Sequence, residues 1–279
     1  MITRPFGSTG VEVAVIGQGT WRMGERPSDR KAEVAALRLG IDLGLTHIDT
    51  AEMYGDGGAE RVVGEAIAGQ RQGVYLASKV LPSNASYHGT VKACEASLRR
   101  LRTDYVDLYL LHWWSGRHPI EETMRAMADL ASRGLVHHVG VSNLDVAQLR
   151  AAQTALAGMR LACNQVLYHL RDRTVEVDLL PYATRQKIAV VGYTPLARGG
   201  FAQGPIVEVA RRLGRTPRQV ALNFLTRRPA QVLSVGQPDS QMLRSRPTSA
   251  IRRSASRSAA TAGGTPSSSA SANIFLAVT

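Results

Sequence analysis

Residues 46–58 read THIDTAEMYGDGG. His47-Ile48-Asp49-Thr50 has the pattern of a short strand ending on a carboxylate. A polar, glycine-rich loop follows, carrying Tyr54 and leading to Glu60. In an α/β barrel the loops at the carboxyl ends of the strands build the site, so a carboxylate there, five residues before a tyrosine, points to chemistry rather than packing. A solvated turn with one aromatic would look the same in isolation. The reading therefore depends on partners for Tyr54 elsewhere in the chain.

Strands and helices alternate on both sides of this stretch. Upstream, residues 3–14 read as a hairpin with Gly7-Ser8-Thr9-Gly10 as its turn, and Val15-Ile16-Gly17 opens a first core strand. Val34, Leu37 and Ile41 then recur at helical spacing between Ser28 and about Leu43, with Ser28 or Asp29 as cap. Downstream come a helix over about 58–69, a strand at Val74–Lys79, a helix containing Thr90–Leu101, and the apolar strand VDLYLLH at Val106–His112. That near-continuous apolar run is of the parallel-sheet kind. Pro119 opens the fourth helix, where its missing N–H costs nothing. Strands at Val136–Ser142, Leu161–Tyr168, Ile188–Tyr193 and Gln231–Val235 follow. Between them lie helices at Asp145–Ala157, around Val175–Arg185, at Ile206–Arg212 and at Pro217–Arg227. Eight such units predict an α/β fold of the closed (β/α)8 barrel type with an N-terminal β-hairpin. A doubly wound sheet would place GxGxxG after its first strand, and the chain has GQGTW at 17–21 instead.

Composition narrows the class. The chain has 279 residues, 44% of them apolar, enough for a single large domain with a sizeable core. No apolar run reaches the length of a spanning helix, and the start MITRPFGSTG lacks the apolar core of a secretory signal. Cys94 and Cys163 make no metal or redox spacing and are expected reduced and buried in a cytoplasmic protein. The formal charge of +12 raises nucleic acid as a partner. Five of the arginines, however, lie in a terminal segment with no acidic residue after Asp239, and no aromatic interleaving marks a nucleic-acid surface. The expected partner is a small molecule, with no nucleic acid, membrane or metal, and the expected state is monomeric.

On this strand assignment Asp49, Tyr54, Lys79, His112, Ser142-Asn143, Gln165 and Tyr193 converge on one end of the barrel. Lys79 ends a strand, where a cation needs a carboxylate or phenolate to be tolerated. The motifs GxxxIDTAxxYG at 44–55, ASK at 77–79, LHW at 111–113, GVSN at 140–143, NQ at 164–165 and GYTPLARG at 192–199 together resemble the aldo-keto reductase family. The resemblance runs from about Phe6 to Val235, roughly four-fifths of the chain. It implies a (β/α)8 barrel that binds NADPH, with NADH as a possible second cofactor, and reduces an aldehyde or ketone. It implies Asp49, Tyr54, Lys79 and His112 as the catalytic four. Ser142, Asn143 and Gln165 would hold the carboxamide and Tyr193 would stack on the nicotinamide. Gly19, Thr20, Trp21, Asp49, Thr194, Leu196 and Arg244 would complete the cofactor site.

Carbonyl reduction needs a hydride on carbon and a proton on oxygen. A tyrosine of ordinary pKa is a weak acid, and an ammonium at Lys79 is expected to favour its phenolate and lower that pKa. Asp49 would keep Lys79 charged, and neutral His112 would orient the carbonyl. Trp21, Met23, Tyr54, Trp113 and Trp114 would line the substrate site. The loops Trp113–His118 and Arg198–Gly204 are short, which predicts an open, permissive pocket. An alternative in the same fold is a nucleotide-binding regulatory or interaction subunit with little turnover.

The chain departs from that resemblance after its last strand. Relatives follow it with an IPK- or IPG-like turn, a serine, then an arginine and an asparagine in a helix that hold the adenosine 2′-phosphate. Here SVGQPDSQMLRSRP stands at 234–247 without an asparagine, and Arg244 is only roughly placed. The folded barrel is assigned to residues 1–236, and 237–279 to an atypical segment rich in Ser, Ala and Arg, mostly of low complexity and without fixed structure. Its composition resembles a GC-rich coding region read in a shifted frame. Resequencing across the codons for Val235–Asp239 tests that hypothesis, and an unshifted frame on independent DNA rejects it. A second prediction concerns cofactor choice. Each lost charge-assisted contact to phosphate costs roughly 1.5–3 kcal/mol, so the preference for NADPH over NADH is expected to be weaker than about a hundredfold, with weak binding of both. Dissociation constants from quenching of tryptophan fluorescence check it. Sub-micromolar NADPH with undetectable NADH would show a complete phosphate site.

Overall fold

The computed structural model describes residues 1–199, 204–228 and 231–236, the last by their backbone. A two-stranded antiparallel hairpin comes first, β1 (Thr3–Pro5) against β2 (Glu12–Ala14), with Thr3 opposite Ala14. Its turn needs glycine at Gly7: φ is 57°, and a Cβ there would lie 2.6 Å from the carbonyl oxygen of Ala162. The Thr9 hydroxyl donates to the Phe6 carbonyl at 2.7 Å and fixes the loop.

The barrel follows as eight strands with helices between them: β3 (Ile16–Gly19), α1 (Arg30–Asp42), β4 (His47–Asp49), α2 (Gly58–Ala66), β5 (Tyr75–Val80), α3 (Tyr87–Leu101), β6 (Val106–Leu111), α4 (Ile120–Ser132), β7 (Val136–Ser142), α5 (Val146–Ala155), β8 (Leu161–Leu167), α6 (Leu179–Gln186), β9 (Ala189–Tyr193), α7 (Pro205–Arg212), α8 (Pro217–Thr226) and β10 (Gln231–Gly236). The strands pair in parallel and close in the order β10-β3-β4-β5-β6-β7-β8-β9. Helix starts follow local chemistry. Ser86 accepts from the Gly89 N–H ahead of α3, and Asp145 with Gln148 and Thr216 with Gln219 form capping boxes for α5 and α8. Most boundaries fall within a few residues of the sequence reading, and two of the differences have a local cause or form. Pro119 is the residue before α4 rather than its first, and the expected helix around 175–185 divides into a 3-10 turn at Thr174–Glu176 and α6.

The period of two along each strand divides the apolar residues between two cores. Ile48, Leu76, Tyr109, Leu111, Val139 and Val141 face the helices. Tyr75, Ala77, Leu108, Leu110, Cys163, Ala189 and Val191 fill the barrel interior. The hairpin closes the amino-terminal end of that interior. Phe6 is fully buried, 5.2 Å from the Tyr75 ring and 6.3 Å from the His47 ring, at the first residues of their strands. Both cysteines are buried thiols. Among the described residues no helix is long and apolar enough to cross a membrane.

If Phe6 is the plug of the barrel interior, Phe6→Ala should lower the unfolding free energy by about 3–5 kcal/mol, the range for truncating a fully buried phenylalanine. Urea denaturation checks this, and a loss below about 1 kcal/mol would mean that the hairpin does not carry the closed end.

Candidate active site

Stepping two residues along each strand from the apolar interior reaches a polar layer. Ala77 leads to Lys79, Leu110 to His112, Gly140 to Ser142, Cys163 to Gln165, Val191 to Tyr193, and His47 to Asp49. Six neighbouring strands thus place their last inward position in a single ring.

Lys79 lies at its centre with no exposed surface. Its Nζ is 2.8 Å from Asp49 Oδ1, and it donates to the Thr50 carbonyl at 2.9 Å and to the Tyr54 hydroxyl at 3.4 Å. Gln165 Nε2 donates to Asp49 Oδ1 at 3.0 Å. The His112 ring meets the Tyr54 ring edge-on, centroids 5.6 Å apart, and Trp113 meets His112 at 5.0 Å. The loop holding Tyr54 turns through Gly55, Asp56 and Gly57, all with positive φ, and packs against residues 23–24. A Cβ on Gly24 would fall 2.2 Å from the carbonyl carbon of Gly58, so the two backbones touch only because both residues are glycine.

A second group of polar residues lies beside the first. The Tyr193 hydroxyl donates to Asn143 Oδ1 at 3.0 Å, and Asn143 Nδ2 donates to Ser142 Oγ at 3.1 Å and to the His112 carbonyl at 3.3 Å. Ser142 Oγ donates in turn to the Gln165 carbonyl at 2.8 Å. Asn143 holds the left-handed conformation, φ 61°, that turns its amide across the strand end.

Electrostatics follow from burial. Burial pushes the Asp49 carboxyl up, but Lys79 and Gln165 outweigh it and hold the pKa below the ordinary carboxylate value. Burial pushes Lys79 down, and Asp49 and Tyr54 reverse that to a net rise. His112 is pushed down to about 3 by burial and by the Lys79 charge, so its imidazole is neutral at neutral pH. Tyr54 corrects the sequence expectation. Lys79 does pull its pKa down, but burial is the larger effect and the phenol stands above the ordinary 10.0.

The remaining expected residues are dispersed. Gly19 pairs with Asp49 across β3 and β4, and buried Thr20 gives its N–H and hydroxyl to the Asp49 carbonyl at 3.0 and 3.1 Å. Trp21 is 48% exposed, with Arg22 and Arg198 placed 4.8 and 5.6 Å from its ring. Thr194, with φ 55°, accepts from the Ala197 N–H in the turn that carries half-buried Leu196. Met23 is buried in the core cluster against which Tyr54 also packs. Trp114 packs against that same core and donates its indole N–H to the His118 carbonyl at 2.9 Å, whereas Trp113 is exposed at the site. Arg244, Ser240–Arg246 and the segment 237–279 lie outside the described residues, as do residues 200–203 of the loop after β9.

Sequence reasoning gave Glu60 no role. Its fully buried carboxylate accepts from the Ser78 hydroxyl at 2.6 Å and from Arg100 Nε at 2.5 Å. Ser78 immediately precedes Lys79, so Glu60 ties the start of α2 to the strand that presents the lysine. The available signal was an acidic residue inside an otherwise apolar helix face.

Comparison with known proteins identifies the family. Residues 15–245 match the model of the aldo/keto reductase family. Methylglyoxal reductase YeaE of Escherichia coli (strain K12) is 56% identical over 200 residues, 72% of this chain and 70% of that protein. Aldo-keto reductase YhdN of Bacillus subtilis (strain 168) is 39% identical over 204 residues, 68% of this chain and 61% of that protein. The match thus spans about 60–70% of the length of these two relatives. An aldo-keto reductase from Klebsiella pneumoniae, solved in complex with NADPH, superimposes with a TM-score of 0.81 at 44% identity, over 87% of this chain and 88% of that one. The chain belongs to the aldo/keto reductase family.

Proposed function

We propose that the protein is an NADPH-dependent carbonyl reductase that reduces aldehydes or ketones with Tyr54 as proton donor. The observation that carries this reading is the Tyr54 hydroxyl held 3.4 Å from a buried, carboxylate-paired Lys79, with neutral His112 against its ring. The residues present suit the cofactor. Ser142, Asn143 and Gln165 offer hydroxyl and amide groups of the kind a carboxamide pairs with, and half-buried Tyr193 offers an aromatic face. Arg22 and Arg198 beside Trp21 suit an anionic ligand.

When bound, the reduced nicotinamide supplies the hydride. The chain supplies the proton and the charge compensation. Tyr54, its pKa raised, holds its proton at neutral pH and has it to give. The Lys79 ammonium stabilises the phenolate that donation leaves, and Asp49 keeps that ammonium charged and oriented. His112, neutral, can donate a hydrogen bond to the carbonyl oxygen without adding a second positive charge. Trp21, Tyr54 and Trp113 form the walls for the substrate. The reading places the enzyme in the cytoplasm as a monomer, and two buried free thiols support the cytoplasmic part.

Loss of reduced-cofactor absorbance with a panel of simple aldehydes, methylglyoxal included, tests the proposal. Tyr54→Phe should still bind cofactor while losing about a hundredfold or more in turnover. A variant keeping a tenth of it would show that Tyr54 is not the acid. Absence of turnover with either cofactor would favour the nucleotide-binding subunit instead. The pH profile carries a further sign. Activity needs Tyr54 protonated and is lost as pH rises through a pKa above 10.0, and it needs His112 neutral and is lost as pH falls through about 3. Turnover should therefore be flat between about pH 5 and pH 9. A falling limb centred inside that window would show that Lys79 outweighs burial.

A further inference from the structure

Next to Trp113 lies an open cleft of about 570 Å³. One wall is Leu81–Ser83, just past β5, and the other is Trp113 with Ser115–Arg117, past β6. The cleft shares Trp113 with the candidate active site: the same residue meets the His112 ring at 5.0 Å and lines the cleft. Both walls are braced. Glu52 Oε1 accepts from the Leu81 N–H at 2.6 Å and from Asn84 Nδ2 at 3.1 Å, and the indole N–H of Trp114 ties its segment to the His118 carbonyl.

The lining is apolar at Leu81, Pro82 and Trp113, hydroxylic at Ser83 and Ser115, and charged only at Arg117. The Arg117 guanidinium is exposed, and among the described residues it has no hydrogen-bond or ion-pair partner. Among the described residues no carboxylate lines the cleft, and the nearby Glu52 is engaged by Leu81 and Asn84. An unpaired planar fork of donors sharing a cleft with Leu81, Pro82 and Trp113 matches a carboxylate carried on an apolar spacer.

We propose that this cleft receives the far end of the carbonyl substrate and that Arg117 selects aldehydes and ketones bearing a carboxylate beyond an apolar spacer. The inference rests on the carbonyl-reductase reading and adds discrimination to a pocket whose short loops alone would make it permissive. A pair of substrates on one scaffold tests it: 4-carboxybenzaldehyde and its neutral methyl ester, methyl 4-formylbenzoate, which is longer by one methyl group. The ester's different electron demand acts equally on every variant, so the change in the ratio of the two kcat/KM values is the readout. Arg117→Gln should lower the acid-to-ester ratio fivefold or more, and a smaller change overturns the proposal. Titration calorimetry with the alcohol product, 4-(hydroxymethyl)benzoate, reads the same contact without turnover. If neither protein reduces any aldehyde, the carbonyl-reductase reading fails and the calorimetry decides alone. A fivefold or greater weakening in Arg117→Gln then supports the cleft's role as a carboxylate site, and a smaller one overturns it.

Discussion

A lysine ammonium with none of its surface in water is the constraint on which the site depends. Removing a charge from water costs several kcal/mol even after the protein relaxes around it. Lys79 is tolerable because three oxygens meet it: the Asp49 carboxylate, the Thr50 carbonyl and the Tyr54 hydroxyl. Two of these lie on adjacent positions of one strand end and the third is four residues further on, so the β4 loop is shaped as a socket for a β5 side chain. Such a pair contributes little net stability. Its value is positional, because the same ammonium that needs Tyr54 as a ligand can compensate a phenolate there.

The barrel makes that burial possible by its layering. Below the ring the described inward positions are mostly apolar or aromatic, and the hairpin closes the amino-terminal end with Phe6. Above it, the last inward side chain of six strands is polar, and these groups satisfy one another. Asp49 takes the Gln165 amide, Ser142 and Asn143 share a hydrogen bond, and Tyr193 reaches Asn143. These hydrogen bonds fix side-chain directions, while His112 Nδ1 and Thr50 Oγ1 stand buried without a partner among the described residues.

Much of this was legible in the sequence, for a reason visible in particular residues. Lys79, Ser142 and Gln165 lie within strands whose alternation fixes their facing, so an apolar residue two positions earlier was enough to orient them. Beyond the strand end that rule lapses. Trp113 and Trp114 follow β6 by two and three residues, and only the structure shows that the first meets His112 while the second turns into the helix layer. The sign of the Tyr54 shift was equally out of reach. A nearby lysine can be read from a motif, but the opposing desolvation depends on how the whole loop packs, and here it wins. Glu60 was visible as a carboxylate, but its partner Arg100 lies forty residues away on another helix.

Glu60 completes the electrostatic logic of β5. Ser78 and Lys79 are successive residues, so their side chains leave the strand on opposite faces. The lysine enters the barrel interior toward Asp49, and the serine enters the helix layer toward Glu60. Each face of the strand therefore meets a buried carboxylate. Glu60 also belongs to the first turn of α2, where a negative charge is favoured by the helix dipole. It is neutralised by Arg100, whose side chain passes so close to Gly57 that a Cβ there would lie 2.5 Å from it. The loop bearing Tyr54 is thus fixed at its far end by the same carboxylate that fixes the strand bearing Lys79. The 3.4 Å separation between those two side chains is set from behind, through Glu60, as much as by their own contact.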